Sequence, residues 1–152
     1  PGPRVRAREV ADRTWPIRHD PEALSRALRC LVGAPYRPGG TTAAGLDCSG
    51  LVQRAVRALG VVLPRHSTDQ LALAAAPARA LGEPGDLVFL WGAGEAPCHV
   101  GVVLRGARPG ERTLVHASSR RGAVIEEPLA AALARAAVVR HVELEQVLGV
   151  RR

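Results

Sequence analysis

The apolar period of the chain changes at Glu83-Pro84-Gly85-Asp86, and that change narrows the folds open to it. Before this turn, apolar residues recur at helical spacing, first as Leu24, Ala27, Leu28 and Leu31, then as Leu51, Val52, Ala55, Val56 and Leu59. After it the pattern is extended, with Val- and Leu-rich runs at 87–91, 99–104 and 112–117. Helices first and strands after imply an α+β architecture in which N-terminal helices pack on an antiparallel sheet.

The boundaries carry their own chemistry. Asp20-Pro21-Glu22 supplies an N-cap, a proline at the first helical position and an acidic first turn, and Gly33 ends that helix. A second helix begins near Cys48 and stops at Gly60. Ser67-Thr68-Asp69-Gln70 reads as a capping box, with Gln70 closing it, for a third helix running to about Pro77. Two further strands are expected at 123–126 and Val138–Val142, separated by a short Ala-rich helix from Pro128, so the sheet has about five strands. Residues 1–19, polar and Pro-punctuated, read as a linker or the tail of a preceding segment; residues 20–152 read as one domain.

Composition sets limits. At 152 residues and 47% hydrophobic the chain can bury a core without disulfides. Its three cysteines, Cys30, Cys48 and Cys98, cannot all pair, and their spacing fits no zinc pattern. The net charge is +7 and every basic residue is Arg, but the arginines are scattered and aromatics are only 3%, which argues against nucleic acid as a partner. No apolar run approaches the ~20 residues that span a bilayer. The chain opens Pro1-Gly2-Pro3-Arg4, with no initiating Met and no apolar segment behind a basic one, so no export signal is expected within these residues, which says nothing about export.

Cys48 sits where a loop gives way to a helix. Exposed amides and the dipole at a helix N-terminus favour thiolate over thiol. Candidate bases follow at His99 and His116. Alternation along a strand puts His99, Gly101 and Val103 on one side and Cys98 on the other. If the strands around the 105–111 turn pair, both histidines are expected on the face that receives the Cys48 helix, with Gly101 allowing its close approach. His19, His66 and His141 have no such context.

Several stretches together resemble the NlpC/P60 family of papain-like cysteine peptidases acting on bacterial cell-wall peptides. They are Gly33-Ala34-Pro35-Tyr36, Gly39-Gly40, Leu46-Asp47-Cys48-Ser49-Gly50-Leu51-Val52, Leu63-Pro64-Arg65, Gln70, Pro84-Gly85-Asp86-Leu87-Val88-Phe89, His99-Val100-Gly101 and His116-Ala117-Ser118. The resemblance covers about residues 24–142. It implies Cys48 as nucleophile, His99 as general base and His116 as the third residue that fixes the imidazole. It implies that Tyr36, Asp47, Ser49 and Arg65 line the pocket for a peptidoglycan stem peptide. The implied reaction is hydrolysis of the D-glutamyl–diamino acid amide through an acyl-enzyme, with no cofactor or metal. The alternatives are a wall amidase or acyltransferase on the same fold, or an inactive module that binds wall peptide. The expected setting is secreted, periplasmic or wall-associated, as a monomer, with an upstream wall-binding domain as the segment that 1–19 would join.

Overall fold

The computed structural model describes residues 20–73, 82–91 and 99–142. The proposed linker at 1–19, the end of the third helix, and Cys98 lie outside the described residues.

Helix α1 (Pro21–Arg29) starts as its sequence dictates: Asp20 Oδ1 accepts from the backbone N–H groups of Glu22 and Ala23, each at 3.0 Å. It ends earlier than Gly33, with Cys30 as C-cap and a turn through Leu31 to Gly33. The loop that follows contains a two-residue ladder, β1 (Thr41–Thr42) against β2 (Gly45–Leu46), too short to leave an alternating pattern. Helix α2 (Cys48–Arg57) and helix α3 (Ser67–Ala72) complete the helical half. In α3 the capping box does not form. His66 is the N-cap and no side chain caps the helix.

The strands are β3 (Leu87–Trp91), β4 (His99–Arg105), β5 (Arg112–Ser118), β6 (Ala123–Pro128) and β7 (Val138–Val142), with the short helix α4 (Leu129–Leu133) between the last two. They form one antiparallel sheet in the order β6-β5-β4-β3-β7. The turn ahead of β3 closes by a bond from Asp86 N–H to the Glu83 carbonyl at 2.9 Å. Strand alternation divides the core. Leu87, Phe89, Val100, Val102, Val115 and Ala117 face α1 and α2, where Leu24, Leu28, Leu51, Val52 and Val56 are fully buried. Val88, Leu90, Val103 and Leu114 face the other way and pack on Leu129 and Ala132 of α4.

Adjacent carboxylates on β6 serve opposite faces for the same reason. Glu126 takes a two-point clamp from Arg29 of α1, at 3.1 and 2.8 Å, and a bond from the Thr113 hydroxyl at 2.7 Å. Glu127 points to the α4 side.

Candidate active site

The first turn of α2 is built by Asp47. As N-cap it holds the backbone N–H of Gly50 on Oδ1 at 2.8 Å and that of Gly39 on Oδ2 at 2.9 Å. Arg65 closes on the same carboxylate with both guanidinium nitrogens, Nη1 to Oδ1 at 2.9 Å and Nη2 to Oδ2 at 2.5 Å, while Nη1 also donates to Ser49 Oγ at 2.9 Å. Burial pushes the Asp47 carboxyl upward, but Arg65 and the two amides outweigh it and hold the group below the usual carboxylate range. Asp47, Ser49 and Arg65 thus form one hydrogen-bonded cluster beside Cys48.

The helix start is pressed tightly against the preceding loop. A Cβ on Gly50 would lie 2.1 Å from the Gly40 carbonyl oxygen. Gln70, wholly buried, donates from Nε2 to the carbonyls of Ser49 at 3.2 Å and Pro64 at 2.9 Å, so it ties α3 to the helix that Cys48 begins instead of capping its own.

Cys48 itself is 9% exposed. Burial pushes its thiol above the ordinary value; the N–H groups of Val100, Ser49 and Cys48 pull it down, and the Asp47 charge pushes it up, with a net upward result. The helix terminus does favour thiolate, as its position predicts, but loss of hydration is the larger effect. Tyr36 is near enough to feel the same groups: burial, then the thiol, then the Asp47 carboxylate raise its phenol.

The histidines sit differently from expectation. His99 pairs in register with Leu90, and His116 lies between Val115 and Ala117, so both imidazoles belong to the α4 face of the sheet. Gly101 makes room there too, since a Cβ on it would stand 2.9 Å from Leu114 Cδ1 and 3.0 Å from His116 Cβ. It accommodates β5 side chains, not α2. The link between the two faces is the start of β4, where Val100 N–H meets the Cys48 sulfur and His99 is the preceding residue. Alternation does keep His99, Gly101 and Val103 on one side, but which side the helices cover is set by packing, which alternation does not encode.

His99 Nε2 and His116 Nδ1 are 2.6 Å apart, with the rings edge to face at 83°. Burial first, then His116 and Arg135, push the His99 imidazolium down from 6.5 to about 4, against the pull of Glu127. Burial also lowers His116, although Glu127 opposes it through a hydrogen bond and its charge. His116 Nε2 lies 2.8 Å from Glu127 Oε1, and Arg135 Nη2 bonds the same oxygen. His99, His116, Glu127, Arg135, Arg120 and Arg121 help line a cavity of about 290 Å³. Among the described residues no cluster of three His, Cys, Asp or Glu is placed to hold a metal ion.

The structure therefore places Asp47, Ser49 and Arg65 in one cluster, Tyr36 within electrostatic reach of Cys48, and His99 against His116. Glu127 went unseen because the strand was ended at Glu126. Extending it by one residue would have exposed the signal: His116 pairs with Ile125, and Glu127 is Ile125's same-face neighbour two residues on.

Residues 33–143 match the family model described as NlpC/P60 family. The chain is 40% identical over 94 residues to Murein DD-endopeptidase MepS/Murein LD-carboxypeptidase of Escherichia coli K12, covering 61% of this chain and 47% of that protein. It is 35% identical over 101 residues to the probable endopeptidase NlpC of the same organism, covering 65% and 62%. The chain thus spans about half the length of the first of these curated relatives. Among solved structures it resembles the peptidoglycan hydrolase RipB of Mycobacterium tuberculosis, at TM-score 0.64 and 27% identity over 93% of this chain and 68% of that one.

Proposed function

Since the chain belongs to the NlpC/P60 family, we propose that it is a cysteine peptidase that hydrolyses an amide bond in peptidoglycan stem peptides at the bacterial cell wall or in the periplasm. The observation that carries this reading is the seating of Cys48 as the first residue of α2 with its sulfur on the amide of Val100, the residue that follows His99, whose imidazole pairs with His116. Relatives with 35–40% identity bear endopeptidase names, which supports the same chemistry.

In this mechanism Cys48 gives its proton to His99 as the sulfur attacks the carbonyl carbon. The proton cannot be parked in advance, since the thiol is raised and His99 is lowered to about 4, so the resting pair is neutral at pH 7. The oxyanion is stabilised by backbone N–H groups at the start of α2. Collapse of the tetrahedral species breaks the C–N bond, and His99 returns the proton to the leaving amine. Water then hydrolyses the thioester with His99 as base.

Asp47, Ser49, Arg65 and Tyr36 form the wall beside the thiol that receives the acyl side of the peptide. Both Asp47 oxygens already accept from Arg65 and from backbone amides. A substrate ammonium would therefore approach the remaining lone pairs and the Tyr36 hydroxyl. The preferred bond in this proposal is D-glutamyl–diamino acid. The MepS relative bears DD-endopeptidase and LD-carboxypeptidase names, so the experiment has to distinguish bonds.

The test is to incubate the protein and its Cys48→Ala variant with purified peptidoglycan and with free stem peptide, and to read the products by mass spectrometry. Fragments that require Cys48 support the peptidase reading, and their masses identify the bond. Absence of any Cys48-dependent fragment from either substrate overturns it and favours acyl transfer or peptide binding.

A further inference from the structure

We propose that Glu127, held in place by Arg135, is a positioning residue that sets the ring tautomers of both histidines and so leaves His99 Nδ1 as the nitrogen that takes the Cys48 proton. The inference rests on the peptidase reading for its catalytic consequence, but its core concerns protons at stated atoms of the resting protein.

Burial raises Glu127, yet hydrogen bonds from Arg135 and His116 and their charges hold it below the usual range, so it is ionised at neutral pH. An ionised carboxylate only accepts. His116 Nε2, 2.8 Å away, must therefore carry a hydrogen and donate it. A neutral imidazole with its hydrogen on Nε2 has a bare Nδ1, which can only accept. His99 Nε2, 2.6 Å from that nitrogen, must then be the donor. With its hydrogen on Nε2, neutral His99 keeps an open lone pair on Nδ1. No proton moves along this chain during the reaction. When His99 becomes an imidazolium, its Nε2–H stays on His116 and the charge of Glu127 stabilises it from two rings away.

The geometry that holds the carboxylate supports a purpose-built role. Arg135 is anchored on the carbonyl of Ala131, one helical turn back, at 2.8 Å, as well as on Glu127. Glu127 is 18% exposed at its side chain and His116 is 7%, so water competes poorly for the bond between them. Arg135, two residues beyond the end of α4, is thereby held at the rear of the histidine pair. The opposing charges also predict opposite effects. Glu127 raises the affinity of both imidazoles for protons, and Arg135 lowers it.

The experiment is ring-nitrogen NMR of the ¹⁵N-histidine-labelled protein, with the rate of iodoacetamide alkylation at Cys48, read by peptide mass mapping, measured against pH. In the wild-type protein both histidines are expected as single Nε2–H tautomers at neutral pH. Glu127→Gln is expected to lower the imidazole titrations, and Arg135→Gln to raise them, with the alkylation profile moving in the same two directions. On a cleaved wall peptide, Glu127→Gln should lower kcat about tenfold or more with KM little changed. A hydrogen on His99 Nδ1, mixed tautomers in the wild type, or titrations unmoved by both variants would overturn the proposal. A purely structural Glu127 would lower thermal stability and leave tautomers and titrations where they were. The wild-type spectrum decides the matter even where a variant fails to fold. Because NMR and alkylation need no substrate, the proposal can fail while the peptidase reading stands, and the reverse.

Discussion

At the scale of single residues, the site depends on what has been excluded as much as on what is present. Gly50 lets the first turn of α2 rest on the Gly40 carbonyl, and a methyl group there would meet backbone at 2.1 Å, not a yielding side chain. Gly50→Ala is expected to destabilise the fold by about 1–3 kcal/mol, checked by the denaturant midpoint. It should also displace Cys48, so activity is expected to fall further than stability explains. Arg65 is the other sensitive point. Arg65→Ala leaves the Asp47 carboxylate, 14% exposed, without its countercharge, and the charge then acts on the thiol undiluted. The Cys48 titration is expected to rise, read from the pH dependence of alkylation; a fall, or no change, would contradict the coupling between the clamp and the Cys48 thiol.

At the scale of elements, α3 braces α2 more than it stands alone. It is six residues long, lacks a side-chain cap, and is joined to α2 by the wholly buried Gln70. Gln70→Ala leaves the Ser49 and Pro64 carbonyls without this donor and opens a cavity. A loss of about 1–3 kcal/mol is expected, measured by chemical denaturation. Gln70→Glu should be worse than Gln70→Ala at pH 7, since it removes both donated bonds and buries a charge. Sequence alone read Gln70 as a local cap, because the capping-box spacing and a long-range bond look identical until the partner helix is in place. The start of α1, the span of β3 and the turn between Glu83 and Asp86 are legible for the opposite reason: each is set by contacts within a few residues.

At the scale of the whole molecule, packing the histidine pair between α4 and the sheet couples stability to pH. Folding lowers His99 from 6.5 to about 4. Its contribution is fully present above pH 6.5 and is lost as pH falls through 4, because the unfolded chain takes up the proton first. The loss is about 3 kcal/mol at most for this residue. His116 shifts the same way, and the lowered Asp47 and Glu127 add their own losses at the acid end of the window. Denaturant midpoints at pH 7.5 and pH 4 measure the effect, and equal midpoints would contradict the burial cost assigned to the pair.

The order of elements, the five-stranded sheet and the candidacy of Cys48, His99 and His116 are carried by the sequence, because period, capping residues and motif spacing are local quantities of the chain itself. Which face the imidazoles occupy, the entry of Glu127 and Arg135, and the raised thiol were decided only by the tertiary structure. Strand register and the removal of water are products of the whole assembly. Whether β6 ends at Glu126 or runs on to Pro128 decides whether Glu127 is a loop carboxylate or one bonded to His116, and no local pattern encodes the cost of burying Cys48 beneath the start of β4.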